Sequence, residues 1–165
     1  MIVFDASTLI LVAKIELLEI FLDSVRDAVA VPAEVERECC GSKKTFDALM
    51  ICAALDKSRI RRRDVKNRRL LAKLQEDFSI GKGEAEAIAL AIGEHAALVG
   101  IDDKSGINAC KLLGIPFTTA IGILVRSREK GLLEAAEAVQ KLESLARIGR
   151  YQSSIIEDAK QKLEA

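Results

Sequence analysis

The chain has 165 residues, half of them apolar, 30% charged and only 4% aromatic, with Tyr151 its single tyrosine and no tryptophan. A chain of that length makes one domain rather than two and buries roughly two-thirds of the surface its unfolded form exposes, which excludes the disordered and fibrous classes. Lys plus Arg and Asp plus Glu are equal at 25 each, so a protein that coats nucleic acid by bulk charge is excluded and any such contact must be local.

Ile2-Val3-Phe4 is too short for a helix and stops at Asp5, which predicts a strand. Ser7 then caps a helix in which Leu9, Val12, Ile15 and Ile20 recur at helical spacing. Residues 28–31 read as a second strand closed by Pro32, which suits the first turn of a following helix. Residues 44–55 form an amphipathic helix, 58–65 a short edge strand and 67–78 another helix. Gly81-Lys82-Gly83 breaks the chain before an alanine-rich helix over 84–94. Residues 97–101 are the clearest buried strand and end at Asp102-Asp103, after which a helix over 105–113 stops at Gly114. A further strand at 116–119 precedes helices over 121–130, 133–146 and 153–163. Short β-branched runs alternating with helices predict an α/β fold on a parallel sheet. With no repeats and no low-complexity linker, the expectation is a single domain over 1–165, with its core in 1–133 and C-terminal helices in 134–165.

Cys39, Cys40, Cys52 and Cys110 show no disulfide-framework spacing, so they are expected to be reduced and the protein cytoplasmic. His95 is the only histidine and no CxxC exists, which argues against zinc. The opening apolar stretch lacks a basic leader and contains Asp5, and no run reaches the roughly 18 apolar residues of a membrane helix, so no signal peptide and no membrane partner is expected.

The acids carry the chemistry. A parallel sheet puts every strand's carboxyl end on one edge, where open α/β folds bind ligands. Asp5 and Asp102-Asp103 follow strands directly, and Glu34, Glu36 and Glu38 lie in the helix after another strand. Two carboxylates about 4 Å apart repel by roughly 4 kcal/mol at an effective dielectric of 20, so such a cluster needs a cation. All-oxygen ligands select Mg²⁺ or Mn²⁺. Glu34 and Glu38 share a helix face while Glu36 lies about 200° away. Glu38, one turn deeper, is the first choice and Glu34 the reserve, as an outer group. Glu84 is in phase with Ile88 and Ala91 and is preferred over Glu86. Each acid also has a plain structural reading: Asp5 can start a helix, Glu84 and Glu86 suit a helix N-terminus, and Asp102-Asp103 can form a turn. Acids at every turn of one strand edge, with Lys104 the only base next to the paired aspartates, call for more than that.

These residues fall in IVFDAST, VPAEVERE, GKGEAEAIALA and LVGIDDKSGINACKLLGIPF followed by IGILVRSREKGLL, in that order over 1–133. In them the chain resembles PIN-domain proteins, the family to which VapC toxins of toxin–antitoxin pairs belong. The resemblance implies a three-layer α/β/α sandwich and divalent-metal-dependent cleavage of RNA. Carried over by position, it implies Asp5, Glu38, Glu84 and either Asp103 or Asp102 as the acids, with Ser7 as the small hydroxyl residue beside the first. Relatives often carry an arginine in the helix after the paired aspartates, where this chain has Ile107 and Asn108, and Gly-Thr where it has Thr119-Ala120. The family also implies a homodimer and, for a toxin, a cognate antitoxin. A housekeeping RNA-processing nuclease would use the same site, and a catalytically silent scaffold would keep the acidic pocket.

In chemical terms, Mg²⁺ or Mn²⁺ held by Asp5, Glu84 and Asp103 or Asp102 would orient and acidify a water for attack on a phosphodiester, with Glu38 completing the site. Ser7 reads as an outer-shell donor rather than a nucleophile, because no histidine or lysine adjoins it. Residues 57–73 hold nine Lys or Arg against one acid, a local +8 that the rest of the chain balances. Arg61, Arg62, Arg63, Arg68 and Arg69 are the expected RNA phosphate contacts, against the plainer reading of a solvated face. No aromatic residue is interleaved there, so base stacking is not implied.

Overall fold

The computed structural model describes residues 1–42 and 44–165. Five strands, β1 (Ile2–Phe4), β2 (Val29–Val31), β3 (Ile60–Arg62), β4 (Leu98–Gly100) and β5 (Phe117–Thr118), form one sheet in the order β3-β2-β1-β4-β5. Every pairing is parallel. The helices are α1 (Ala6–Lys14), α2 (Leu18–Ser24), α3 (Ala33–Cys39), α4 (Phe46–Asp56), α5 (Arg68–Phe78), α6 (Lys82–Gly93), α7 (Lys104–Leu113), α8 (Ala120–Glu129), α9 (Ala135–Ile148) and α10 (Ser153–Glu164).

Alternation along β1 decides the layers, because successive side chains of a strand point to opposite faces. Ile2 and Phe4 join Val29 and Val31 in an apolar cluster built with α1, α2, α8, α9 and α10. Val3 enters a second cluster with Val99, Ile101 and residues of α5, α6 and α7. The fold is therefore a three-layer α/β/α sandwich. Leu142, Leu145 and Leu163 of the tail are as fully buried as Leu9, each stabilising the fold by about 1.5–3 kcal/mol. Leu133 is buried with them, whereas Ala136 and Ala146 are exposed.

The strand order also places the ligand edge. The chain builds outward from β1 to β2 and β3, then returns to lay β4 on the other side of β1. Connections therefore diverge above the β1/β4 pair, the switch point at which open α/β sheets form a crevice.

Three expectations are corrected. The single helix through Ile20 is broken at Glu16, whose φ of 57° ends α1 and lets the adjacent Leu17 and Leu18 both enter the core. The Lys141 ammonium donates to the freed Ile15 carbonyl at 2.8 Å, satisfying a helix end from a distant part of the chain. Asp5, not Ser7, caps α1, because its carboxylate reaches the Thr8 N–H. The cysteines are not all reduced: Cys40 and Cys52 form a disulfide, while Cys39 and Cys110 are free and buried. Their separation of 12 residues follows no framework pattern, but the packing of α3 against α4 brings the two Cα atoms to 5.9 Å. The expectation of a cytoplasmic protein loses the support it drew from reduced thiols. Among the described residues no helix is long and apolar enough to cross a membrane.

Candidate active site

Pairing of Phe4 with Gly100 brings the residues after β1 and β4 to the same level of the sheet edge. The Asp5 N–H continues the ladder onto the Gly100 carbonyl at 3.0 Å, which buries Asp5 to 1% exposure. Its Oδ1 accepts the Thr8 N–H at 2.9 Å and its Oδ2 accepts the Ser7 hydroxyl at 3.1 Å. Burial pushes its pKa up to about 7 against the pull of those hydrogen bonds, and the Asp102 charge adds to the rise. Thr8 links the two acids, because its Oγ1 donates to Asp102 Oδ2 at 2.7 Å while its amide holds Asp5. Asp102 Oδ2 also accepts the Ala120 N–H at 3.0 Å, and Oδ1 accepts the Tyr151 hydroxyl at 2.6 Å.

Glu84 sits in the first turn of α6, where Oε2 accepts the Gly81 N–H at 3.2 Å. Burial raises its pKa, with further rises from the charges of Asp103 and Glu38. Glu38 packs directly on the same turn: a Cβ on Gly83 would lie 2.6 Å from its Oε1, so the glycine makes room for that carboxylate. Asp103 caps α7 through the Ser105 and Gly106 N–H groups, at 2.9 and 3.3 Å. The structural readings of Asp5, Glu84 and Asp103 are thus realised together with the clustering. These acids occupy helix N-termini, whose positive ends favour negative charge. Ser7, Glu84, Asp102, Asp103, Lys104 and Arg150 are among the residues lining a cleft of about 560 Å³.

Glu34 is held outside this cleft. It pairs with Arg37 and, at 3.6 Å, with Lys82; the Arg37 hydrogen bond holds its carboxyl below the usual range. The Glu34 N–H is taken at 2.9 Å by Glu86, which is 5% exposed and serves to join α6 to α3. Arg61, Arg62 and Arg63 lie on and just after the edge strand β3, and Arg68 and Arg69 open α5. All five are exposed, Arg62 reaching Glu36 at 3.8 Å and Asp64 at 3.4 Å, and they do not line the acidic cleft. The reading from sequence missed Thr8, Arg150 and Tyr151. Thr8 carries no signal beyond its place near Asp5, and the other two follow Gly149, a helix stop that looks like an ordinary turn.

A family model described as a PIN domain matches residues 1–165, the full length of the chain. The chain is a PIN-domain protein. No curated protein and no solved structure gives a significant match to it. The PIN fold is a nuclease fold whose members typically use divalent metal ions. In this PIN-domain protein the donor set fits such an ion in chemistry: hard carboxylate oxygens only, with Asp5 and Glu84 both disfavoured as charges by burial and by neighbouring acids, Asp102 for the one and Asp103 and Glu38 for the other. Among the described residues, however, no three His, Cys, Asp or Glu side chains are grouped as a ready metal cage. Asp102 is turned to Thr8, Ala120 and Tyr151, and Glu84 folds back onto Gly81.

Proposed function

We propose that this PIN-domain protein is a Mg²⁺- or Mn²⁺-dependent endoribonuclease that hydrolyses RNA phosphodiesters. The observation that carries the reading is the cleft at the β1/β4 switch point lined by Glu84, Asp102 and Asp103, with Asp5 buried next to Asp102 and both Asp5 and Glu84 pushed toward their protonated forms. Desolvated acids with a like-charge neighbour are tuned for function rather than for stability. Asp5, Glu84 and Asp102 or Asp103 would hold the cation, which when bound acidifies a water and stabilises the departing oxygen. Ser7 and Thr8 fix the Asp5 carboxylate, which lies buried beside the cleft and is joined through Thr8 to Asp102 on its wall. Glu38, seated on Gly83 and acting on Glu84 through its charge, would complete the ligand set directly or through a water.

Phosphates must still be drawn to an acidic cleft. Lys104 and Arg150 line it, and the exposed arginines of β3 and α5 supply further positive charge at the outermost strand of the same sheet. We assign RNA as the substrate on this combination and place the protein as the toxin of a toxin–antitoxin pair, with an antitoxin and a second copy of the chain as its protein partners. The decisive test is cleavage of a mixed RNA in Mn²⁺ by the wild type, Asp5→Asn and Glu84→Gln, with a chelator control. Activity in the wild type alone is expected; equal activity in both variants overturns the metal site. Growth arrest on expression, relieved by a co-expressed small neighbouring protein, is the result expected of a toxin. Unimpaired growth with an active nuclease would make it a processing enzyme.

A further inference from the structure

The connector between α9 and α10 is built around one side chain. Gly149 follows α9 directly, its N–H donating to the Leu145 carbonyl at 2.7 Å. A Cβ there would lie 2.8 Å from Tyr151 Cδ2 and 2.9 Å from the Leu145 carbonyl oxygen. Glycine therefore lets the ring fold back over the elbow, where it packs against the larger apolar cluster. From that seat the Tyr151 hydroxyl donates to Asp102 Oδ1 at 2.6 Å. The elbow is itself anchored: Leu142 and Leu145 before it and Ala159 and Leu163 after it are buried, and Arg128 of α8 donates to the Leu163 carbonyl at 3.2 Å.

Asp102 is consequently held by three separate parts of the fold, Thr8 of α1 and Ala120 of α8 on one oxygen and Tyr151 on the other. We propose that Tyr151 is a positioning residue that sets the orientation of Asp102 for divalent-metal binding, making the C-terminal helices part of the working site. This rests on the reading of the cleft as a metal-dependent nuclease. Each carboxylate oxygen carries two lone pairs, so Oδ1 can accept the phenol and still face a cation. Outer partners of this kind fix a ligand's direction, and their removal typically costs about 10- to 100-fold in metal affinity or activity. Tyr151 acts through Asp102 and needs no contact with RNA.

Tyr151 is the only tyrosine and the chain has no tryptophan, so near-ultraviolet absorbance and fluorescence report on this one ring. The test titrates the full-length wild type, Tyr151→Phe and Asp102→Asn with Mg²⁺ and Mn²⁺, following heat and the tyrosine signal, and then measures cleavage of a mixed RNA. In the wild type the tyrosine signal is expected to change saturably with the midpoint seen by calorimetry, and in Asp102→Asn that change is lost. Tyr151→Phe keeps the ring's packing and is expected to lose affinity for Mn²⁺ by about 10- to 100-fold. Its kcat should fall while KM for RNA stays within about twofold. Wild-type Mn²⁺ affinity and kcat in Tyr151→Phe, even with a lowered Tm, would reduce Tyr151 to a structural tether. Metal binding that leaves the wild-type tyrosine signal unchanged overturns the proposal by itself, whether or not the variant folds. A wild type that neither binds Mn²⁺ nor cleaves RNA overturns the nuclease reading and this proposal with it.

Discussion

The acidic cleft at the β1/β4 switch point and the basic edge formed by β3 and α5 carry opposite charge, and they hold it in opposite ways. Asp5 is almost completely buried, fixed by Ser7 and Thr8, and destabilised as a carboxylate. Arg61, Arg63, Arg68 and Arg69 stand in solvent, and Arg62, itself exposed, pairs with Glu36 and Asp64. Charge in the cleft costs folding free energy and has a fixed direction, as a site requires. Charge on the edge costs little, is screened by salt and can move to meet a flexible polyanion.

If that contrast is right, Asp5→Asn has the largest effect and a double signature. RNA cleavage should fall by at least about 100-fold, more than loss of an outer-shell partner usually costs. Tm of the metal-free protein near pH 8 should rise, because a buried charge has been removed while Asn can still accept the Thr8 N–H. A variant that is both active and less stable would break the comparison. Reversing Arg61, Arg62 and Arg63 to Glu should weaken RNA binding by at least about tenfold at low salt and lower the salt slope by roughly one for each phosphate no longer neutralised. Stability should change by no more than about 1 kcal/mol, since these side chains are exposed. Filter binding across a salt series checks the first outcome and denaturant unfolding the second.

Gly83→Ala sharpens the assignment within the cleft. The new methyl meets the flexible end of Glu38, so the carboxylate moves while the helix gains about 0.5–1 kcal/mol of propensity. A fall in kcat without loss of stability would place Glu38 in the working site, and an unchanged kcat would remove it. The smallest effect concerns pH. Asp5 is raised from 3.8 to about 7, so its contribution to stability is fully present below pH 3.8 and is lost as pH rises through 7. The groups acting on it are Ser7, Thr8 and Asp102; burial raises the pKa of Cys110 to about 11 and, with the Asp102 charge, that of Tyr151, the Asp5 charge adding least to each. A metal held by Asp5 would displace its proton, so the Tm gain from Mg²⁺ should be larger near pH 8 than near pH 6. A gain independent of pH, measured by differential scanning fluorimetry, would detach Asp5 from the metal.

Much of this was legible in the chain itself. The apolar run Leu98-Val99-Gly100-Ile101 ending in two aspartates, the early Ile2-Val3-Phe4 and the Gly81-Lys82-Gly83 break are local patterns, and local patterns determine strands, helix starts and the parallel class. They also determined that acids would crowd one edge, because that follows from strand direction alone. Tertiary structure decided everything that depends on which distant groups meet. It broke the first helix at Glu16 and gave the freed Ile15 carbonyl to Lys141, paired Cys40 with Cys52, and bound Glu34 to Lys82 while leaving Glu84 in the cleft. It also brought Tyr151 across 49 residues to Asp102. No periodicity encodes such a meeting, since a hydrogen bond needs direction and closeness that only the packed layers supply.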